Sequence, residues 1–292
     1  MERLVNIGDC ELFISEAGQG FPVIILHGGP GLDHHAFGQY LHPLAGEFRL
    51  IFVDERASGR SSRPDPATWT LERMAADVHA LAESLGLEDF AVLGHSYGAF
   101  VALQYAVDFP GDRGPVIVSA GLPSSRFLDA VEDELATFEP VELREQVASS
   151  WERERSIATA EEFAQLMSDQ LPFHFRDPRD PRIAEYQEQS RDAVYSPEVL
   201  RVFADAGYGG IEVEDRLSTI DRPVLVLAGR HDRTCSVEGA QAIADGIPGS
   251  RLVIFENSAH MMYVEEPELY RQSVRDFLSS AWSPARGKNP VA

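Results

Sequence analysis

Six short apolar runs recur along the chain without alternation: Val23–Leu26, Leu50–Val53, Phe90–Leu93, Val116–Val118, Val224–Leu227 and Leu252–Phe255. Continuous apolar runs predict strands covered on both faces. Between several of them the period lengthens to that of a helix. Leu71, Met74, Ala75, Val78, Leu81, Ala82 and Leu85 share one helical face, and Gly86 predicts the stop. Strands alternating with helices predict an α/β fold, a mostly parallel sheet with helices on both faces. Residues 3–16 alternate loosely and predict an edge hairpin.

The pattern changes between about 122 and 215. Helical patterns at Phe127–Phe138 and Ala160–Leu171 appear there, with Pro172, Pro178 and Pro181, but no strand run. The stretch interrupts the strand series. We expect a core of residues 1–121 and 216–282 and a helical cap, 122–215, inserted over the C-terminal edge of the sheet. A second independent domain is the competing reading. Residues 283–292 predict a flexible tail.

Candidate chemistry follows the strands. His27-Gly28-Gly29-Pro30-Gly31 comes after the first run and Asp54–Ser61 after the second. Gly94-His95-Ser96-Tyr97-Gly98 follows the third, Ala228–Asp232 the fifth and Glu256–His260 the sixth. Each motif falls at the C-terminal end of a predicted strand, where open parallel sheets place their sites.

Gly94–Gly98 is a G-x-S-x-G pentapeptide between a strand and the helical stretch Ala99–Ala106, the context of a nucleophile elbow. A serine hydroxyl needs a base, and the base needs an orienting acid. Ser96, Asp232 and His260 occur in the chain order expected for such a hydrolase. Of nine histidines, His260 lies on the loop after the last core strand and can reach back to Ser96. His95 is expected to point away from the serine, His231 to be structural, and His34 and His35 to line the entrance or cap a helix. Asp232 could instead cap the helix starting near Ser236, and Glu256 is the second choice of acid. Acyl transfer also needs backbone donors for the oxyanion. The N–H groups of Tyr97 and Gly29 are the candidates.

Composition removes alternatives. The 292 residues include 25 Lys and Arg against 47 Asp and Glu, a net charge of −22 that disfavours nucleic acid and anionic membranes as partners. Two cysteines, Cys10 and Cys235, cannot form a disulfide framework, so a reducing, cytoplasmic setting is expected. No signal-peptide core or membrane-length apolar run is found. The glycine-rich loop lacks a Gly-Lys-Ser/Thr ending, no dinucleotide motif follows the first strand, and no Cys/His cluster has metal-ligand spacing. No cofactor or metal is expected.

Taken together, His27–Gly31, Asp54–Ser61, Gly94–Gly98, Gly229–Asp232 and His260 resemble the proline iminopeptidase family of α/β-hydrolases. The resemblance spans about 20–121 and 220–270 and implies the α/β-hydrolase fold and an aminopeptidase releasing N-terminal proline or a small apolar residue. It also points to Cys235 as a residue near the substrate. Four positions depart from the family pattern. Ala57 replaces a glycine, His95 and Tyr97 flank the serine where glycine and tryptophan are common, and Arg233 stands where some members place an amine-binding glutamate. An iminopeptidase would therefore take its amine-binding carboxylate from the cap, with Glu185, Glu188 and Glu198 as candidates. Phe173, Phe175, Tyr186, Tyr195, Phe203 and Tyr208 form the pool of aromatic pocket walls, Phe173 and Tyr208 foremost. The substrate is then a small peptide or ester. A carboxylesterase or lactonase would use the same three residues, and a catalytically dead binding protein would have had no reason to keep them.

Overall fold

Eight strands form one sheet in the computed structural model, which describes residues 1–281. They are β1 (Glu2–Asn6), β2 (Glu11–Ala17), β3 (Phe21–Leu26), β4 (Phe48–Val53), β5 (Ala91–His95), β6 (Val116–Ser119), β7 (Val224–Gly229) and β8 (Arg251–Phe255). The order across the sheet is β1-β2-β4-β3-β5-β6-β7-β8. The hairpin β1–β2 is antiparallel and joins β4 antiparallel, and every later pairing is parallel. This is the mostly parallel α/β sheet that the strand pattern predicts, and the α/β-hydrolase architecture that the resemblance implies. The tail at 283–292 lies outside the described residues.

The central strands β5, β6 and β7 are buried throughout, as continuous apolar runs require. β8 differs: it closes the sheet and only Phe255 is fully buried, because one flank has no neighbouring strand. Helix α1 (Leu71–Ser84) buries the apolar face read from its spacing, is capped by Thr70, and stops where Gly86 takes φ +64°. Helix α2 (Tyr97–Asp108) is buried along nearly its whole length.

Between β6 and β7 the described chain holds no strand. Five helices fill it: α3 (Ala130–Ala136), α4 (Val141–Arg153), α5 (Ala160–His174), α6 (Arg182–Gln189) and α7 (Pro197–Asp205). The expected Phe127–Phe138 helix is split by a short 3-10 turn ending at Leu128. The two ends of the insertion meet. Ser125 N–H donates to Ile211 O and Val213 N–H to Pro123 O, both at 2.9 Å. After β7 come α8 (Val237–Gly246), then α9 (Met262–Glu265) and α10 (Pro267–Ala281) following β8.

The Asp54–Ser61 segment works as a structural knot. Asp54 accepts from the N–H groups of His34 and Arg60 and pairs with His34 Nδ1 at 2.6 Å. Arg56 is fully buried, and its guanidinium is held by both oxygens of Asp77 at 2.6–2.7 Å. Ala57, where the family pattern has glycine, sits at φ +61° with no exposure.

Candidate active site

Ser96 occupies the turn between β5 and α2 with φ +55° and ψ −119°, a conformation that L side chains rarely take. The glycines around it are required by space. A Cβ on Gly94 would lie 1.9 Å from Gly98 O, and one on Gly98 would lie 2.4 Å from Leu26 O. Tyr97 opens α2, so its N–H has no partner within the helix. On the facing loop, Gly28 lies against the serine, its missing Cβ only 3.1 Å from Ser96 Cβ. Gly29 beside it has φ +58°.

Asp232 and His260 come from the loops after β7 and β8. These loops are pressed together, since a Cβ on Gly229 would sit 1.9 Å from Ala259 O. His260 Nδ1 lies 2.8 Å from Asp232 Oδ2. Asp232 Oδ1 accepts from Thr234 N–H, Thr234 Oγ1 and Cys235 N–H at 2.9–3.0 Å. Burial acts to raise the Asp232 pKa, but the charge and hydrogen bond of His260 and the two backbone donors outweigh it, and the net shift is downward. The carboxylate is thus held ionised. The helix after it is capped by Ser236. Glu256 is exposed and paired with Arg230. Glu265 also braces the loop, accepting from Ala259 N–H and from Arg176 N–H at 2.8 Å each.

Ser96, His260, Gly28, Gly29 and Tyr97 wall one cavity of about 120 Å³, whose roof comes from the insertion. Leu128, Trp151, Glu154, Met167, His174 and Tyr208 are among the roof residues. A space of that size admits a small acyl group.

The placements of the sequence candidates divide. Tyr208, Tyr186 and Cys235 line the cavity. Phe173 does not: it packs with Phe138, Val131 and Val147 between insertion helices, while its neighbour His174 faces the cavity. Phe175 and Phe203 lie in the core, the latter with its ring 5.0 Å from that of Tyr97, and Tyr195 packs on Phe163. The three glutamates are corrected. Glu185 and Glu188 are exposed, Glu188 paired with Arg191, and Glu198 pairs with Arg63; none lines the cavity. Arg233 turns away from the cavity, donating to Phe173 O and Phe175 O at 2.9 and 2.8 Å. His95 lines the cavity, with its ring 5.0 Å from that of His260 and Nδ1 3.1 Å from Ser119 Oγ. Burial, then the nearby His260, holds its pKa well below the usual value. His34 and His35 pair with Asp54 and Asp33 instead of lining the entrance, and His231 is exposed.

The cap carboxylate in the cavity is one that sequence reasoning missed, Glu154. It is 5% exposed, takes a hydrogen bond from Gln170 Nε2 at 2.7 Å, and another from the Tyr208 hydroxyl. Burial raises its pKa, against those two hydrogen bonds. Asp232, Cys235 and His260 also bring donor atoms within 4.8 Å of one another. That set suits a metal poorly: the Asp232 and His260 atoms already pair, and burial, then Asp232, holds the Cys235 thiol pKa well above normal. The second such cluster, Asp33, His34 and His35, is bound up in its own ion pairs.

A family model described as alpha/beta hydrolase fold matches residues 22–267. The chain belongs to the alpha/beta hydrolase family. A proline iminopeptidase of Heyndrickxia coagulans is 30% identical over 273 residues, covering 91% of this chain and 93% of that one. The crystal structure of a Mycobacterium smegmatis proline iminopeptidase superposes with TM-score 0.75 at 26% identity, over 96% and 98% of the two chains. A thermophilic esterase from Thermogutta terrifontis gives 0.74 at 25%, over 97% and 100%. The resemblance read from the motifs is thus upheld, and it extends through the insertion. The chain is a hydrolase, and among its described residues no helix is long and apolar enough to cross a membrane.

Proposed function

We propose that this hydrolase is a serine aminopeptidase that removes an N-terminal proline or small apolar residue through an acyl-enzyme. Ser96 Oγ attacks the carbonyl carbon and His260 takes its proton. Ionised Asp232 holds the other ring nitrogen of His260 and stabilises the imidazolium. The N–H groups of Gly29 and Tyr97 receive the oxyanion. His260 then protonates the leaving amine, and water activated by the same base releases the free amino acid. Residues 122–215 act as a cap that keeps bulk water from the intermediate, with the substrate a small peptide.

The observation that carries the choice of substrate is Glu154. This buried carboxylate, hydrogen-bonded only by neutral donors, has no cationic side chain within salt-bridge distance among the described residues, and Arg155 acts on it only from farther off. The ammonium of a peptide N-terminus would supply that charge inside the cavity. The iminopeptidase relatives point the same way. The esterase neighbour and the raised pKa of Glu154, which favours a neutral carboxyl, support a carboxylesterase as the second reading.

Prolyl-naphthylamide and p-nitrophenyl acetate, tested on the wild type and on Glu154→Gln, separate the two. The aminopeptidase reading expects KM for the amide to rise by at least about tenfold, since a buried charge loses its partner, with a far smaller change for the ester. A wild type that cleaves the ester and leaves the amide intact establishes the esterase instead.

A further inference from the structure

The catalytic cavity shares a wall with a larger groove of about 800 Å³ on the outside of the insertion, between α3, α4 and the loop after α7. Leu128, Trp151, Glu154 and Tyr208 line both spaces, so the partition is one layer of side chains thick. The Tyr208 hydroxyl ties it together by donating to Glu154 Oε2, and the Tyr208 ring stands edge-on to Trp151 at 6.4 Å. The backbone that carries Tyr208 is all left-handed: Gly207, Tyr208, Gly209 and Gly210 have φ of +57°, +54°, +87° and +61°. Three of these four residues have no side chain. Closure at this point of the loop therefore falls to the one ring that sits at a φ unfavourable to it.

We propose that Tyr208 is the end stop of the acyl-side pocket, a specificity-determining residue that confines the substrate to a short acyl group. The groove beyond is the space a longer acyl chain occupies once the stop is removed. This rests on the reading that Glu154 marks the acyl end of the cavity. A peptide bound for cleavage after its second residue would have to push its first residue through the Tyr208–Glu154 pair. The stop thus restricts cleavage to the first residue. Beyond it, Val131, Leu135, Val141 and Ala148 offer apolar side chains suited to an alkyl chain.

The test uses two ester series: p-nitrophenyl esters from acetate to decanoate, and acetate esters of lengthening alcohols. In the wild type, kcat/KM falls as the acyl chain outgrows the cavity. In Tyr208→Ala, the decanoate-to-acetate ratio rises by at least about tenfold, because added methylenes now find apolar surface. Tyr208→Phe keeps the ring and changes the ratio by less than about twofold, because van der Waals bulk forms the stop. Leu128→Ala thins the same partition and moves the ratio in the same direction, which keeps the test open if Tyr208→Ala does not fold. Folded variants with no gain for long acyl chains overturn the proposal, and so does a gain confined to long alcohols. A wild type inactive on prolyl-naphthylamide would remove the aminopeptidase reading while leaving the acyl series fully readable.

Discussion

The carbonyl oxygen of His174 accepts the backbone N–H of His260 at 3.0 Å, and their imidazole rings lie 4.9 Å apart. The proposed base is therefore held by the insertion as well as by its own loop. The His174 ring has a buried Nδ1 with no hydrogen-bond partner. Burial, then the charges of His260 and Arg233, lowers its pKa to about 3.

This makes His174 a source of acid sensitivity. It stays neutral in the folded protein but takes up a proton in the unfolded chain below its ordinary pKa of 6.5. The unfolded state then binds more protons, so stability falls as pH drops from 6.5 towards 3. Between pH 6.5 and 5.5 the loss from this one group is about 1 kcal/mol, about 2 °C in Tm for a chain of this size. His174→Gln should lose correspondingly less Tm over that interval, measured by differential scanning calorimetry at both pH values. Identical pH slopes for the two proteins would contradict it.

Ser96→Ala should leave the fold and Tm nearly unchanged and lower kcat by about 10⁴ or more, while Asp232→Asn, which disturbs the tautomer of His260, should cost about 10³–10⁴. Titration with a serine-directed fluorophosphonate probe and intact mass measurement should label the wild type once and leave Ser96→Ala unlabelled.

Gly98→Ala should be among the most damaging single changes in the core. Its new methyl would fall 2.4–2.5 Å from the carbonyl oxygens of Leu26 and His27, which belong to rigid backbone. We expect a loss of more than about 3 kcal/mol by urea denaturation, if the protein is recovered folded at all. The same change at Gly249, where a Cβ meets nothing within 4 Å, should be milder, with only its φ of +76° to oppose it.

Arg56→Met should cost about 3–5 kcal/mol, because it leaves the buried Asp77 carboxylate with only Arg73, at 3.6 Å, beside it. Asp77 already feels burial raising its pKa, offset only by Arg56 and Arg73. The double variant Arg56→Met, Asp77→Leu should recover much of that loss. Equal stability of the single and double variants in denaturant titrations would show that the ion pair itself is not what the single change disturbs.

Which parts of the molecule were legible in sequence follows from how local their causes are. Ser96 could be read because a buried strand, two glycines and a helix occur within the eighteen residues from Ala91 to Asp108, and the strain at its φ needs only those neighbours. Ala57 stood out for the same reason, and its φ of +61° explains why the pattern has glycine there. Glu154 could not be read. It lies among Glu152, Arg153 and Arg155, in a run that resembles any solvated helix end, and only α5 and the loop after α7 bury it. Phe173 was misplaced by one residue of helical rotation. In a helix closed over on two sides, apolar spacing does not say which side holds the cavity, and it was the polar His174 that faced it.

The paired ends of the insertion, Ser125 on Ile211 and Val213 on Pro123, bear on how such a protein can change over time. Because the polypeptide leaves and rejoins the sheet at a single closed neck, the helices beyond it can be lengthened, trimmed or exchanged while β6 and β7 keep their register. Chemistry and selectivity are then largely separable, with the His174 carbonyl that holds the His260 N–H tying the one to the other. The serine, its glycines and the Asp232–His260 pair belong to the lineage of the sheet, whereas Glu154, His174 and Tyr208 travel with the graft, so a chimera carrying a foreign insertion on this neck should keep the reaction and adopt the donor's choice of substrate.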